Sequence, residues 1–260
     1  MRRGNVAAAL IGIILCASVL AGLGLWAVAQ PAKEREIGSY TTGLRGRTPS
    51  QIHNLTLAAG RIDGTVLQPG EVFSFTKTVG PWTADMGYER APVSYDGELI
   101  NDWGGGVCQT SSTLYNAALL AGLKIIERHR HHWPARYAPI GRDAAVAYSN
   151  IDLKFANNLS RPVRISGRVL DDKVVFRLFT TAQLDYKVRI ETQNASITKP
   201  GQILLPGDDS RGRLKVVNRG HPGFHVRTYR CFEYPDKIRR ELISDDNYPV
   251  MNRVVRMVDR

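Results

Sequence analysis

A single cysteine, Cys108, follows a run of three glycines and precedes a predicted helix. Glycines adopt backbone angles that are closed to other residues, and they let a substrate approach closely. The first N–H groups of a helix lack partners within the helix and face a developing negative charge. A helix N-terminus also lowers the pKa of a cysteine, and the thiolate is the reactive form. The pattern predicts a nucleophilic cysteine; a tight turn around a small buried cysteine is the structural alternative.

Histidines after this helix are candidates for the general base. Residues 124–132 alternate as in a β-strand, which places Glu127, His129 and His131 on one face. A carboxylate that accepts one imidazole N–H orients the ring so that the other nitrogen can take a proton from a thiol. We predict that His131 is the base, that His129 is the second choice and that Glu127 orients the ring.

Two other interpretations of Cys108 follow from its possible partners. Only Cys108 and Cys231 lie outside the apolar N-terminal segment, and in an exported protein they can form a disulfide. Cys108 and the histidines also include zinc-type ligands, but a strand places His131 and His132 on opposite faces. We expect no metal and no cofactor.

Residues 1–29 are predicted to be a membrane anchor or a signal segment. Residues 6–29 contain no charge and follow Arg2 and Arg3, which favour a cytoplasmic N-terminus. This length approaches the ~20 apolar residues that span a bilayer and exceeds the ~7–15 of a signal-peptide core. A small-x-small pattern at residues 27–29 keeps cleavage open. We expect a single-pass protein of the cytoplasmic membrane with its domain on the extracytoplasmic side, in the cell envelope.

The charge of the chain indicates acidic partners. The 260 residues carry a formal net charge of +11, and the pI is about 9.8. Outside the membrane, such a charge attracts anionic wall polymers, lipid headgroups or carboxylate-rich peptides. The sequence contains no motif that reads RNA or DNA, so nucleic acid is not an expected partner.

The pattern of elements predicts an α+β fold that consists mainly of strands. Residues 30–49 are predicted to be a linker, and residues 50–184 the main domain. Helical spacing occurs at 50–60 and again at 109–121, directly after the Gly-Gly-Gly-Val-Cys turn. The region 185–260 is predicted to be a small all-β appendage. Its predicted strands are 187–191, 201–206, 212–217, 223–234 and 252–258.

Several motifs in one order resemble the VanW-domain family of bacterial envelope proteins. The matching segments are 54–59, 67–75, 104–115, 127–129 and 141–144, with Asn157 and Pro162. Residues 223–255 are similar to strand-rich wall-associated tails of the G5 type. The family takes its name from glycopeptide-resistance gene clusters, and members are linked to L,D-transpeptidase activity.

The resemblance implies peptidoglycan cross-linking through a thioester on Cys108, with His129 or His131 as the base. Arg130 and His132 flank His131 where the family often has proline and serine, which leaves the choice of histidine open. The implied partners are peptidoglycan stem peptides and, through residues 6–29, the cytoplasmic membrane.

The same resemblance suggests how a stem peptide is held. Backbone amides of the turn and helix start would hold the oxyanion, and arginines would bind stem carboxylates bidentately. The expected substrate-binding residues are Gly105, Gly106, Gln109, Ser111, Arg128 and Arg142. The alternative is a non-catalytic wall-binding protein, in which the glycines and Cys108 are structural and the basic surface supplies adhesion.

Overall fold

A computed structural model describes residues 32–95, 98–148, 150–206 and 213–258, and the chain from Glu34 onward forms one unit. Within these ranges the helices are α1 (Pro49–Ile62), α2 (Phe75–Val79) and α3 (Val107–Leu120). The strands of the first part are β1 (Arg35–Gly43), β2 (Val66–Leu67), β3 (Val72–Ser74), β4 (Arg90–Tyr95), β5 (Glu98–Trp103), β6 (Lys124–Glu127), β7 (Lys154–Ala156), β8 (Val163–Leu170) and β9 (Lys173–Thr180). The strands of the second part are β10 (Lys187–Thr198), β11 (Gln202–Leu205), β12 (Arg213–Asn218), β13 (Gly223–Glu233), β14 (Ile238–Tyr248) and β15 (Arg253–Val258).

The first part is a helix pair on an antiparallel sheet. The sheet has the strand order β1-β9-β8-β2, and a smaller sheet has the order β3-β7-β6. α1 packs against β8 and α3, and α3 packs against β1 and β9. Strands thus dominate and helices are few, which confirms the predicted α+β class. The largest fully buried side chains include Leu55, Ile62, Leu114, Tyr115, Phe155 and Phe176.

Local sequence explains where α1 begins. Thr48 Oγ1 accepts the backbone N–H of Gln51 at 3.2 Å, and Gln51 Oε1 accepts the N–H of Thr48 at 3.1 Å. This capping box is followed by Pro49, whose fixed φ suits the first helical position. The helix buries Leu55, Ile62 and the polar Asn54, so its start and its inner face are both defined.

The linker predicted over residues 30–49 is wrong for its central part, residues 35–43, which form a strand. β1 pairs antiparallel with β9 from Arg35 to Gly43, at the edge of the main sheet. Gly38 lies so close to the end of α3 that a Cβ would be 2.4 Å from the backbone nitrogen of Ala121. An edge strand with one solvated face has a polar composition, and this made the segment resemble a tether.

The single strand predicted over residues 124–132 is also wrong. β6 ends at Glu127, and its pairing with β7 is irregular between Ile125 and Glu127. Beyond it, one isolated bridge joins His129 to Ala145. Because the strand does not continue, simple alternation does not place His131 on the face of Glu127.

The tail, which we define as β10 to β15, contains two three-stranded sheets. Their strand orders are β10-β13-β14 and β11-β15-β12. The strands predicted in this region overlap β10, β11, β12, β13 and β15. β14 was not predicted, because five of the eleven residues of Ile238–Tyr248 are charged and no alternation marks it.

No helix among the described residues is long and apolar enough to cross a membrane. The apolar segment at residues 6–29 lies outside the described residues. Asp96 and Gly97, between β4 and β5, also lie outside them.

Candidate active site

Cys108 is the second residue of α3 and follows a turn that requires glycine. Gly106 caps the helix with a φ of 106°, in the left-handed region. A Cβ on Gly106 would lie 2.6 Å from the backbone oxygen of Gln51 in α1. The side-chain amide of Asn54 donates to the backbone oxygen of Gly105 at 3.0 Å. α1 therefore fixes the turn that positions the cysteine.

The thiol lies next to an imidazole that a carboxylate holds. Cys108 Sγ donates to the backbone oxygen of Val146 at 3.4 Å and is hydrogen-bonded to the side chain of His131. His131 Nδ1 lies 2.6 Å from Asp143 Oδ2, which also accepts the backbone N–H of His131 at 2.7 Å. Because Nδ1 is held by Asp143, Nε2 is the nitrogen left to exchange a proton with the thiol. A thiol next to an imidazole that a carboxylate orients is also the order of nucleophile, base and orienting residue in cysteine and serine acyl-transfer enzymes.

The electrostatics of these three residues, the Cys108 cluster, favour an ion pair. Burial raises the pKa of the Cys108 thiol, but the hydrogen bond and charge of His131 outweigh it, so the pKa lies below its ordinary value. Burial lowers the pKa of His131, whereas its bonds to Asp143 and Cys108 raise it, to about 10. Burial likewise opposes ionisation of Asp143, yet the bond from His131 lowers its pKa to about 2. The shifts of all three groups are therefore in the direction that favours a thiolate, an imidazolium and a carboxylate.

Glu127 orients His129 rather than His131. His129 Nε2 lies 3.0 Å from Glu127 Oε1, and Lys154 Nζ lies 2.7 Å from Glu127 Oε2. The side chain of His129 is 44% exposed, against 19% for His131. The expectation that Glu127 orients His131 is wrong, and the structure separates two histidines that the sequence could not.

Sequence reasoning missed Asp143 as the carboxylate. The segment 141–146, here called the Asp143 loop, is held on α3 by polar side chains that are buried inside the helix face. Ser112 Oγ accepts the N–H of Ala144 at 2.8 Å, and Asn116 Nδ2 donates to Arg142 O at 2.7 Å. Two features of the sequence could have indicated Asp143. One is the Gly-Arg-Asp-Ala motif at 141–144, and the other is the run of polar residues in α3, which the structure buries.

Gln109 and Ser111, predicted to bind substrate, have internal partners. Gln109 Nε2 donates to Thr42 Oγ1 at 3.0 Å and to Gly43 O at 2.8 Å, while its Oε1 accepts from Arg47 Nε at 2.7 Å. Ser111 Oγ donates to Ala144 O at 2.6 Å. Both side chains thus fasten α3 to its surroundings, and substrate contact by them stays a prediction.

The two predicted arginines are also engaged within the protein. The side chain of Arg128 is 6% exposed and forms ion pairs with Asp143 at 3.2 Å and with Asp246 at 2.6 Å. Arg142 Nε donates to Asn116 Oδ1 at 2.7 Å. Neither guanidinium is a free anion site in this arrangement, so their predicted role with stem carboxylates is not supported by these contacts.

Two further donors lie at the Cys108 cluster. Tyr137 Oη lies 3.3 Å from His131 Nε2, and burial raises the pKa of this phenol well above its ordinary value, so it keeps its proton. The amides of Val107 and Gln109 donate to Gly104 O and Gly106 O at 3.0 Å. The amide of Cys108 between them has no backbone acceptor among the described residues, as expected in the first turn of a helix.

The described residues form neither a metal-binding group nor a disulfide at Cys108. Among the described residues, no group of three or more His, Cys, Asp or Glu side chains is arranged to hold a metal ion. Cys108 and Cys231 are both free thiols. A cleft of about 450 Å³ lies elsewhere, between β1, the end of α3 and the chain that leads into β10. None of its lining residues belongs to the Cys108 cluster, so the chemistry rather than cavity size identifies the candidate site.

Comparison with known proteins gives the family. The family model described as "VanW like protein" matches residues 50–179. The chain belongs to the VanW-like family. The match includes Cys108, His131 and Asp143, and it ends before the tail.

Two curated relatives match more than half of the chain. The chain is 37% identical over 155 residues to the uncharacterised protein YoaR of Bacillus subtilis, covering 60% of this chain and 51% of that protein. It is 32% identical over 139 residues to the vancomycin B-type resistance protein VanW of Enterococcus faecalis, covering 52% of this chain and 50% of that protein. The chain thus spans about half the length of the curated relatives it matches. A solved structure of the G5 domain of an IgA1 protease matches 29% of this chain over 90% of its own length, at 20% identity and a TM-score of 0.23.

Proposed function

We propose that this protein is a cysteine acyltransferase of the cell envelope that cross-links peptidoglycan stem peptides, in the manner of an L,D-transpeptidase. The observation that carries the proposal is the hydrogen-bonded order Cys108, His131, Asp143, with a lowered pKa at the thiol. Membership of the VanW-like family and the resistance named for the similar Enterococcus faecalis protein support a role at the wall.

In the first half-reaction, the Cys108 thiolate attacks the carbonyl carbon of the third residue of a donor stem peptide. The S–C bond forms, and the C–N bond to the terminal D-amino acid breaks. The leaving amine takes its proton from the His131 imidazolium. The products are a thioester on Cys108 and a neutral imidazole, which the ionised Asp143 still orients.

In the second half-reaction, an amine of an acceptor stem attacks the thioester carbonyl. It gives its proton to His131 Nε2, the amide bond forms and the Cys108 thiolate leaves. Each proton that His131 gives in the first step is thus recovered in the second. Exclusion of water from the thioester decides whether transfer or hydrolysis results.

The tetrahedral oxyanion of both steps needs donors that are already in place. The amide of Cys108, which has no backbone acceptor among the described residues, and the hydroxyl of Tyr137 beside His131 are the donors that we assign to it. One well-placed donor of this kind contributes about 3 kcal/mol to the stabilisation of a transition state. This assignment replaces the side chains of Gln109 and Ser111, which have internal partners, by the Cys108 amide and the Tyr137 hydroxyl.

The test is an assay of the full chain with purified tetrapeptide muropeptides. We expect cross-linked products, release of the terminal D-amino acid and an acyl adduct on Cys108 detectable by mass spectrometry. Cys231→Ser is the matched control, because Cys231 is a buried thiol of β13 remote in sequence from the cluster. Absence of products and of the adduct under conditions where Cys108 is alkylated rapidly would refute the acyl-transfer proposal.

A non-catalytic wall-binding protein is the second candidate, and the net charge of +11 favours it. It requires only a basic surface and leaves Cys108 a structural residue. In that case Cys108→Ala would bind isolated cell walls as the unchanged chain does, and alkylation of Cys108 would show an ordinary thiol pKa.

We further propose that the domain lies outside the cytoplasmic membrane and stays attached through residues 6–29. Fractionation of the native protein and sequencing of its N-terminus test this location. Recovery in the membrane fraction with the segment intact supports the anchor. A soluble form that begins at Gln30 would show instead that the segment is a cleaved signal.

A further inference from the structure

The last residue of β14, Tyr248, lies in the buried contact between the tail and the Asp143 loop. Its side chain is 1% exposed, and its hydroxyl lies 2.5 Å from Asp143 Oδ1. The hydroxyl oxygen of Tyr248 also accepts the backbone N–H of Gly141 at 3.1 Å. A phenol has one hydrogen to donate, and Gly141 donates to it, so the Tyr248 hydrogen is the one that points at Asp143.

The two oxygens of the Asp143 carboxylate have different partners. Oδ2 accepts both hydrogen bonds from His131. Oδ1 accepts from Tyr248 and lies 3.2 Å from Arg128 Nη2. The tail therefore fixes the rotation of the carboxylate about its own axis, and that rotation aims Oδ2 at the imidazole.

A second tail residue balances the charge of Arg128. Both carboxylate oxygens of Asp246 accept from Arg128 Nη1, at 2.7 and 2.6 Å. Ser244 Oγ donates to Asp246 Oδ2 at 2.9 Å, which fixes this carboxylate within β14. Arg128 is thus shared between a carboxylate of the first part of the chain and one of the tail.

β13 holds the same loop from a neighbouring position. Thr228 Oγ1 donates to the backbone oxygen of Gly141 at 3.0 Å. A Cβ on Gly141, whose φ is 82°, would lie 2.7 Å from Thr228 Oγ1. Arg230 Nη1 donates to the backbone oxygen of Leu123 at 2.6 Å. Two tail strands therefore pack on the loop that carries Asp143 and on the residue before β6, the strand from which the chain leads on to His131.

We propose that Tyr248 is a positioning residue of the Cys108 cluster and that the tail is a required part of the active site. The inference deepens the proposed function, since it rests on Cys108 acting as the nucleophile. It goes beyond the VanW-like match, which ends at residue 179. In this arrangement the tail affects the reactivity of the thiol indirectly. Tyr248 orients Asp143, Asp143 orients His131, and His131 exchanges the proton with Cys108.

The charged and titratable groups that face the carboxylate come from every element around it. They are His131 and Arg128 after β6, Tyr248 and Asp246 from β14, Cys108 and Tyr115 from α3, Tyr137 before the Asp143 loop, and Arg130, whose guanidinium lies 5.3 Å from the Tyr248 ring centre. Burial and the charge of Asp143 raise the pKa of Tyr248, so its hydroxyl remains a donor across the range in which the thiol titrates.

The test compares the pH dependence of Cys108 alkylation in the full chain and in Tyr248→Phe, followed by mass spectrometry of the Cys108 peptide. We expect the midpoint to rise by about one pH unit, which makes alkylation roughly tenfold slower on the acidic limb. Tyr234→Phe is the matched control: this tail tyrosine packs on Tyr186, with ring centres 5.5 Å apart. An equal shift in the control, or no shift in folded Tyr248→Phe, would overturn the inference.

Asp246→Asn is the second variant, and it decides the matter if Tyr248→Phe does not fold. Asp246→Asn removes the charge that holds the other side of Arg128, so the guanidinium is held less firmly beside Asp143 Oδ1 and the carboxylate loses part of the support that aims Oδ2 at His131. The alkylation midpoint should again rise, and an unchanged midpoint would count against the tail. Because alkylation needs no muropeptide, a shift without cross-linked products would sink only the proposed reaction, whereas products without a shift would sink only this inference.

Discussion

One oxygen of Asp143 holds His131 twice. Asp143 Oδ2 accepts the backbone N–H of His131 at 2.7 Å and lies 2.6 Å from its ring Nδ1. Two bonds to the same oxygen fix both the ring orientation and the nitrogen that carries the proton. His131 is thereby prepared to exchange protons at Nε2, whereas in the more exposed His129 it is Nε2 itself that contacts a carboxylate, that of Glu127.

Asp143→Asn should raise the pKa of the Cys108 thiol towards its ordinary value. The amide has no charge to stabilise the imidazolium, so less thiolate forms at a given pH. We expect alkylation near pH 6 to slow by about tenfold or more. Asp152→Asn is the control: this buried carboxylate caps α2 through Ser74 and Thr76, so its loss affects stability without moving the alkylation profile. An unchanged profile in Asp143→Asn would contradict the assignment.

Substitution of the two histidines should separate their roles. His131→Ala removes the proton acceptor, and cross-linking should fall by about 10²- to 10⁴-fold, with loss of the low-pKa limb of alkylation. His129→Ala should leave that limb in place, because His129 pairs with Glu127 on the exposed side. The measurement is the rate of alkylation and of product formation against pH. The reverse pattern would make His129 the base.

Cys108→Ala should abolish cross-linking while the domain stays folded. The side chain is only partly buried, and its loss removes the 3.4 Å contact with Val146 O and the contact with His131, which keeps its bond to Asp143, so we expect the free energy of unfolding to change by only about 1 kcal/mol. Urea unfolding and the muropeptide assay are run on the same preparation. Persisting product in this variant would rule out covalent catalysis by Cys108.

Asp143 should also affect stability at low pH. Its folded pKa is lowered, from 3.8 to about 2, so its contribution is present above the unfolded value and is lost as the pH falls through the folded value. This contribution is about 2 kcal/mol, since the carboxylate is almost fully buried. The difference in unfolding free energy between the unchanged chain and Asp143→Asn should therefore shrink by about that amount between about pH 5 and pH 2. A constant difference would show that the carboxylate is not ionised in the fold.

Local sequence was sufficient to predict that Cys108 lies at the start of a helix after a glycine turn. The glycine run allows the left-handed turn at Gly106, and the apolar spacing after it specifies a helix, so Cys108 at the start of that helix follows from short-range rules. The α+β class followed in the same way from runs of alternating residues. These features depend on neighbours within one turn or one strand, which a sequence displays directly.

Long-range packing decided the rest of the cluster. Asp143 reaches His131 because buried Ser112 and Asn116 of α3 hold the Asp143 loop in place. Tyr248 reaches Asp143 across 105 positions of sequence, from a strand whose charged composition shows no alternation. The alternation of side chains along a strand predicts which residues share a face only while the strand continues. β6 ends at Glu127, so the rule did not apply to His129 and His131. Which polar groups meet in a buried site depends on how separate elements pack, because each must find a partner once water is excluded, and that matching is a property of the tertiary structure.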